Sequence, residues 1–189
     1  GAVVPTCAWD GSRPGGCGAG QCCTGRNGRG ESPSGGQCPL VFDVDDNGNG
    51  LGSAVIDAVE ALVNTTTLDV TTRVRRDEDD FIETGVDSRC FINAVIPNRF
   101  ELPGSCSTSP SAADINPADG VFDSYVNVTP GTQLFFDVFA QNDGCVEATD
   151  IPQSFNAYID VIGDGLTVLD TRTVTIIVPA AIENPSTVP

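Results

Sequence analysis

The sequence predicts an α+β fold that is mainly β. A Cys-rich N-terminal segment carrying a small β-α-β unit occupies residues 1–100, and an antiparallel β-sandwich occupies residues 110–180. Three observations point there. Of eight cysteines, five fall in the first 38 residues. Between Leu40 and Arg75 the hydrophobic period changes from strand to helix and back. After Gly120 the chain reads as Thr-rich alternating segments parted by glycine turns.

Residues 1–38 are rich in Gly, Cys, Ser and Pro, with Trp9 as the only tryptophan. Such a segment cannot bury a core of its own and must be stapled or laid across a neighbour. Gly16-Cys-Gly-Ala-Gly20 has the composition of a phosphate loop, but it follows no strand and opens no helix, so it reads as turn chemistry. The cysteines are Cys7, Cys17, Cys22, Cys23, Cys38, Cys90, Cys106 and Cys145. Their even number, with no C-x-x-C spacing and no histidine, argues for disulfides over a metal. If all eight pair within the chain, at least one bridge must leave the first 38 residues. Adjacent Cys22 and Cys23 point to two different partners, since a vicinal bridge is strained. Spacing fixes no connectivity. An oxidising, extracellular or cell-surface address follows.

Leu40 to Val44 reads as a buried strand and Ser53 as the N-cap of the helix after it. Val55, Ile56, Val59, Leu62 and Val63 recur at helical steps, one stripe whose expected role is core packing. Asn64-Thr-Thr-Thr ends the helix, and Leu68, Val70, Thr72 and Val74 then alternate as a half-buried strand. Asp43, Asp45 and Asn47 stand at alternate positions with Gly48 next, the first half of a calcium loop, while Ala54 takes the closing place of the bidentate Glu. They are the candidate ligands for a structural Ca²⁺. The competing reading is a polar turn, with glycines for positive φ and carboxylates near a helix N-terminus.

Arg75-Arg-Asp-Glu-Asp-Asp80 reads as a solvated turn with local ion pairs, or as a second cation site at Asp77, Glu78, Asp79 and Asp80. Cys90 to Ile96 is a strand broken by Pro97, and Leu102 to Gly120, with three prolines, is a connection or boundary. Further strands are expected at Ser124–Val128, Thr132–Gln141, Ser154–Ile162 and Thr167–Val178. Leu134, Phe136, Val138 and Ala140 share one face, and Phe155, Ala157, Ile159 and Val161 another. Short spacing and turn glycines suggest a sandwich of immunoglobulin-like type. Cys145 falls in a hairpin turn and is expected to tie this region to an earlier segment. Asn64-Thr-Thr66 and Asn127-Val-Thr129 are glycosylation sequons, relevant in a eukaryotic source.

Composition removes whole classes of chemistry. The chain has no His, no Lys and no Met, and all nine basic residues are Arg. Imidazole-based triads, His-ligated zinc, Schiff-base lysines and the Walker lysine are therefore excluded. Two-carboxylate hydrolysis is the common enzyme class left open, with 26 acidic residues to choose from. A net charge of −17 opposes nucleic acid and anionic membranes, and suits divalent cations or a basic partner. No apolar stretch reaches the ~20 residues of a membrane span. The N-terminus lacks the features of a signal peptide, so a secreted form would have lost its leader.

Cys22-Cys-Thr-Gly25, then Cys38-Pro-Leu-Val-Phe-Asp-Val44 leading into Leu51-Gly-Ser-Ala-Val-Ile-Asp-Ala-Val-Glu-Ala-Leu-Val63, resembles the tail of a von Willebrand factor A domain. The match covers residues 20–75. Cys90 to Pro97 and Asp170 to Pro179 look like the β-rich region that follows this domain in secreted bacterial proteins. The resemblance implies a Thr-Gly turn before a final strand, a last helix packed on a sheet, and a role in adhesion. The family's Asp-x-Ser-x-Ser metal motif has no counterpart; Asp10-Gly-Ser-Arg-Pro14 and Asp87-Ser-Arg-Cys90 do not fit it. No family ligand is carried over, and the sheet-opening half is expected in a removed segment or another chain.

These readings give three expectations of function. The first is a non-enzymatic extracellular adhesion or protein-interaction module, stabilised by Ca²⁺, whose partners are proteins, copies of itself or an upstream processed fragment of one precursor. It involves no nucleic acid and no membrane insertion. The second is a structural subunit of an extracellular filament whose Gly-, Pro- and Ser-rich termini lock into adjacent copies. The third is a carboxylate-dependent glycan hydrolase.

Overall fold

The structure, a computed structural model, describes residues 3–9, 16–104, 106–114 and 123–181. Of the termini expected to lock into copies, residues 1–2 and 182–189 lie outside the described residues, as does the Asp10 string. Nine strands and two α-helices are described: β1 (Val3–Pro5), β2 (Gln37–Pro39), α1 (Leu51–Val63), β3 (Leu68–Arg76), α2 (Glu78–Thr84), β4 (Ile92–Glu101), β5 (Ser111–Ala113), β6 (Ser124–Val128), β7 (Gln133–Ala140), β8 (Gln153–Gly163) and β9 (Thr167–Val178). The fold is mainly β. Strands pair as β1-β2, as a five-stranded sheet in the order β5-β6-β3-β8-β9, and as β4-β7. Two compact units emerge: one of Gly1–Leu68, Phe100–Ser111 and Asn127–Leu134, the other of Asp69–Arg99, Ala112–Val126 and Phe135–Pro189.

The first unit is held by sulfur. Cys7 bonds Cys106, Cys17 bonds Cys23 and Cys22 bonds Cys38. Adjacent Cys22 and Cys23 do take different partners, and Cys7–Cys106 is the bridge that leaves the first 38 residues. The core is small: Val4, Ala8, Trp9, Cys22, Cys23, Cys38 and Ala61 are buried together, with Trp9 set edge-on to Phe42 at 6.1 Å. So few apolar side chains need covalent help, as short chains of this composition do.

The expected β-α-β unit is corrected. Residues 41–45 form no strand; the ladder instead uses Gln37–Pro39 against β1, with Val4 opposite Cys38. Cys38 is pinned to Cys22, and Pro39 has no N–H with which to carry the ladder onward. The strand after the helix, β3, finds its partners in β6 and β8. Ser53 is not the N-cap either. The cap is Gly50 at φ 88°, and the Ser53 hydroxyl donates to the Gly50 carbonyl from inside the first turn at 2.9 Å.

The second unit is built on β8, antiparallel to β3 from Val70↔Gly163 to Arg76↔Ala157 and to β9 from Gln153↔Val178 to Gly163↔Thr167. Phe155, Ala157 and Ile159 are buried, as their alternation requires, and Phe155 stacks on Phe91 at 5.2 Å. A register shift between Val161 and Ile162 lets Ile162 be buried as well. Cys90–Cys145 ties the turn after β7 to the segment before β4. β4 runs through Pro97 instead of breaking there; a two-stranded sheet leaves each strand an open edge, where a missing N–H is tolerated. The charge run forms α2 in place of the expected turn. Asp77 caps it by accepting from the N–H groups of Asp79 (2.9 Å) and Asp80 (3.2 Å), and Gly85 closes it at φ 72°. The Leu102 to Gly120 connection also contains β5.

Candidate functional site

Three regions bear on function: the loop ahead of α1, the outer face of α1, and the polar face of the five-stranded sheet. In the loop, Asp45 folds back on its own chain. Its Oδ1 accepts the N–H groups of Asn47 (3.0 Å) and Asn49 (2.7 Å), and its Oδ2 accepts the Asn49 side-chain amide (2.8 Å). The Asn49 amide and N–H hold the Asp45 carboxyl below its usual range. Gly48 and Gly50 take left-handed φ of 75° and 88°, the conformations for which the sequence placed glycine there.

The three predicted metal ligands are not used alike. Asp43 lines an open recess with about 230 Å³ of space, solvent included, together with Gly25, Asn27, Phe42, Ser53 and Asp57. Asp45 and Asn47 are not on that wall; Asp45 braces the turn through the bonds just given. The carboxyl of Asp57 is pushed up, first by burial and then by Glu60. Among the described residues, no group of three or more His, Cys, Asp or Glu side chains is placed to hold a metal ion.

Helix α1 is turned inside out relative to the expectation for its stripe. At about 100° per residue, Leu51, Leu62, Val55, Val59, Val63 and Ile56 share an arc of roughly 140°. All six are exposed, Ile56 at 66%, Val55 at 56% and Val59 at 55%. Ala61, on the opposite arc, is fully buried, and Ala54, Asp57 and Ala58 beside it are half-buried. Asn64 at the helix end donates its side-chain amide to the Ala8 carbonyl at 3.3 Å, and the Thr65 hydroxyl donates to the Ala61 carbonyl at 3.0 Å. The helix therefore lies on its unit by its small residues. Its large aliphatic residues meet water, a patch of the kind that marks interaction sites.

On the five-stranded sheet, Asp160 is buried at 1% exposure and is the centre of a network. It accepts from Arg75 (2.6 and 3.0 Å), Arg73 (3.0 Å) and the Thr171 hydroxyl (2.9 Å). Those bonds, Arg75's foremost, outweigh burial and hold its carboxyl far below the ordinary range. Nearby, the Tyr158 hydroxyl donates to Asp77 at 2.7 Å and the Asn156 N–H donates to Asp80 at 2.7 Å. Asp77, lowered chiefly by Tyr158, and Asp80 are thus committed to holding α2 on β8. Glu78 pairs with Arg76 at 2.9 Å. Of the four acids suggested as a second cation site, three already serve local structure.

Compared with protein-family models, curated proteins and solved structures, the chain matches none. Four disulfides place it in an oxidising environment. Among the described residues, no helix is long and apolar enough to cross a membrane. Sequence reasoning found the α1 stripe but assigned it the wrong surroundings. It missed Asp160, whose only signal was an acid interrupting an apolar strand; the register sets it opposite Arg73, with Arg75 on the diagonal.

Proposed function

We propose that the chain is a non-enzymatic extracellular interaction module and that α1 is its docking element. The observation that carries this reading is the outward row Leu51, Val55, Ile56, Val59, Leu62 and Val63. Burying these side chains under a partner returns free energy that the isolated chain forgoes, roughly 25 cal/mol per Å² of apolar surface. The sequence resemblance of residues 20–75 to the tail of a von Willebrand factor A domain supports the same reading, with proteins as partners, an upstream fragment of one precursor among them. An immunoglobulin-like sandwich for residues 110–180 belongs to the same proposal; the antiparallel pairing of β8 with β9 supports it.

A photo-crosslinking residue in place of Val59, in the protein's native surroundings, tests the docking role. A discrete adduct is expected from position 59 and none from Glu83, an exposed residue of α2. Equal labelling from both positions would remove the proposal. Structural Ca²⁺ at Asp43, Asp45 and Asn47 is a separable part of it: Ca²⁺ should raise the Tm, reversibly with chelator, and Asp43→Ala should abolish the rise.

One feature favours the filament reading. Among the described residues β9, twelve residues long, is an edge strand of the five-stranded sheet, of the kind that strand addition uses. Two features blunt that edge: the register shift near Leu169, and the Asp170 carboxylate, which accepts the Thr171 N–H at 2.8 Å. Polymers under negative-stain microscopy would favour the filament over the module.

A further inference from the structure

We infer that Asn49 is a site of covalent modification, where the side-chain amide is lost to attack by the Gly50 nitrogen and leaves aspartate or isoaspartate ahead of α1. The sequence holds three Asn-Gly pairs, Asn27-Gly28, Asn47-Gly48 and Asn49-Gly50. Asparagine is among the chemically labile residues. It is most so before glycine, which has no side chain to keep its backbone nitrogen away from the amide carbon. All three asparagines are exposed. Sequence and exposure alone therefore rank them equally.

Hydrogen bonding separates them. The Gly28 N–H donates to the Gly25 carbonyl and the Gly48 N–H to the Asp45 carbonyl, each at 2.9 Å. Either bond must break before that nitrogen can attack, and breaking it slows the reaction. Among the described residues, the Gly50 N–H donates to no acceptor. Asn49 is held instead through its side-chain amide, which donates to Asp45 Oδ2 at 2.8 Å. That bond grips the nitrogen that departs, not the carbon that is attacked.

The step balances with water as its only co-reactant. The Gly50 nitrogen gives its proton to water and bonds to the side-chain carbonyl carbon of Asn49. The amide carbon–nitrogen bond breaks, and the nitrogen takes a proton back and leaves as ammonia. One water then opens the cyclic imide, at the side-chain carbonyl to give aspartate or at the main-chain carbonyl to give isoaspartate. Either product sets a carboxylate where a donor to Asp45 stood. The turn that Asp45 braces loses a bond and gains a like-charge repulsion, directly ahead of Leu51 and the aliphatic row.

The test incubates the intact, oxidised chain in mildly alkaline buffer and follows all three sites by peptide mapping, with an isoaspartyl methyltransferase marking the rearranged product. Asn49 should convert at least several-fold faster than Asn27 or Asn47. In the reduced, urea-unfolded chain the three should convert at similar rates, which shows that the fold makes the difference. Equal rates in the folded chain, or a faster Asn47, would overturn the inference. So would an Asn49 that stays amidated while the unfolded chain is consumed. Asn49→Gln should remove the fast phase and leave the two slower ones; a fast phase that persists assigns it elsewhere and overturns the site. Asn49→Asp, which supplies the product directly, should speed hydrogen exchange at the Asn47 amide several-fold, and unchanged exchange there would overturn the opening of the turn.

Discussion

Helix α1 and strand β8 are both amphipathic by pattern, and the protein treats them in opposite ways. In β8 the apolar set Phe155, Ala157 and Ile159 is buried. In α1 the apolar set is exposed, and the small residues Ala54, Ala58 and Ala61 face the body of the unit. Periodicity states which residues share a face. Which face is covered depends on what the rest of the chain can bring to it. The second unit brings a stacked Phe91, Val178 and an antiparallel strand on each side of β8. The first unit has a small core of cysteines, Val4, Trp9 and two alanines, held by three bridges, and among the described residues none covers Val55 or Ile56.

The largest expected effect separates the two units by their source of stability. Reduction of the disulfides should cost the first unit its amide protection before the sheet of the second, because three of the four bridges lie in the first; hydrogen exchange reads this. Equal loss in both units would break the comparison. Next, Phe155→Ala should lower stability by about 3–5 kcal/mol in chemical denaturation, the cost of emptying a packed aromatic site.

Asp160→Asn comes third, at about 2 kcal/mol, since it removes charge-assisted bonds from two arginines. Its pH dependence has a defined sign. The folded carboxyl titrates below its unfolded value of about 4, so its contribution is complete above that value and is lost as pH falls toward the folded pKa. The acid-unfolding difference between wild type and Asp160→Asn should therefore narrow below about pH 4. The smallest effect sharpens the contrast: Val59→Ser should change stability by less than about 0.5 kcal/mol, because its surroundings are already water.

Much of this architecture was legible in the residues. The strands β6 and β9, a helix ending at Val63 (though not its start) and the separate partners of Cys22 and Cys23 follow from period, turn glycines and disulfide geometry. What escaped had physical reasons. The strand expected at Leu40–Val44 lost to a disulfide at Cys38 and a proline at position 39, which set the ladder earlier. Pro97 did not break β4, because an open edge tolerates it. The loop acids looked like ligands because residues that fit a hard cation also fit a tight turn; Asp45 satisfies its own loop. Asp160 escaped because its partners come from a distant strand: β3 places Arg73 and Arg75 beside it.

The claim on which the account turns is that the aliphatic face of α1 meets water in the isolated chain. Methyl NMR with a soluble paramagnetic agent measures this directly. The methyls of Val55, Ile56 and Val59 should relax about as fast as those of exposed Leu166, while those of buried Val70 and Ile159 stay protected. Protection of Val55, Ile56 and Val59 equal to that of Val70 would contradict it.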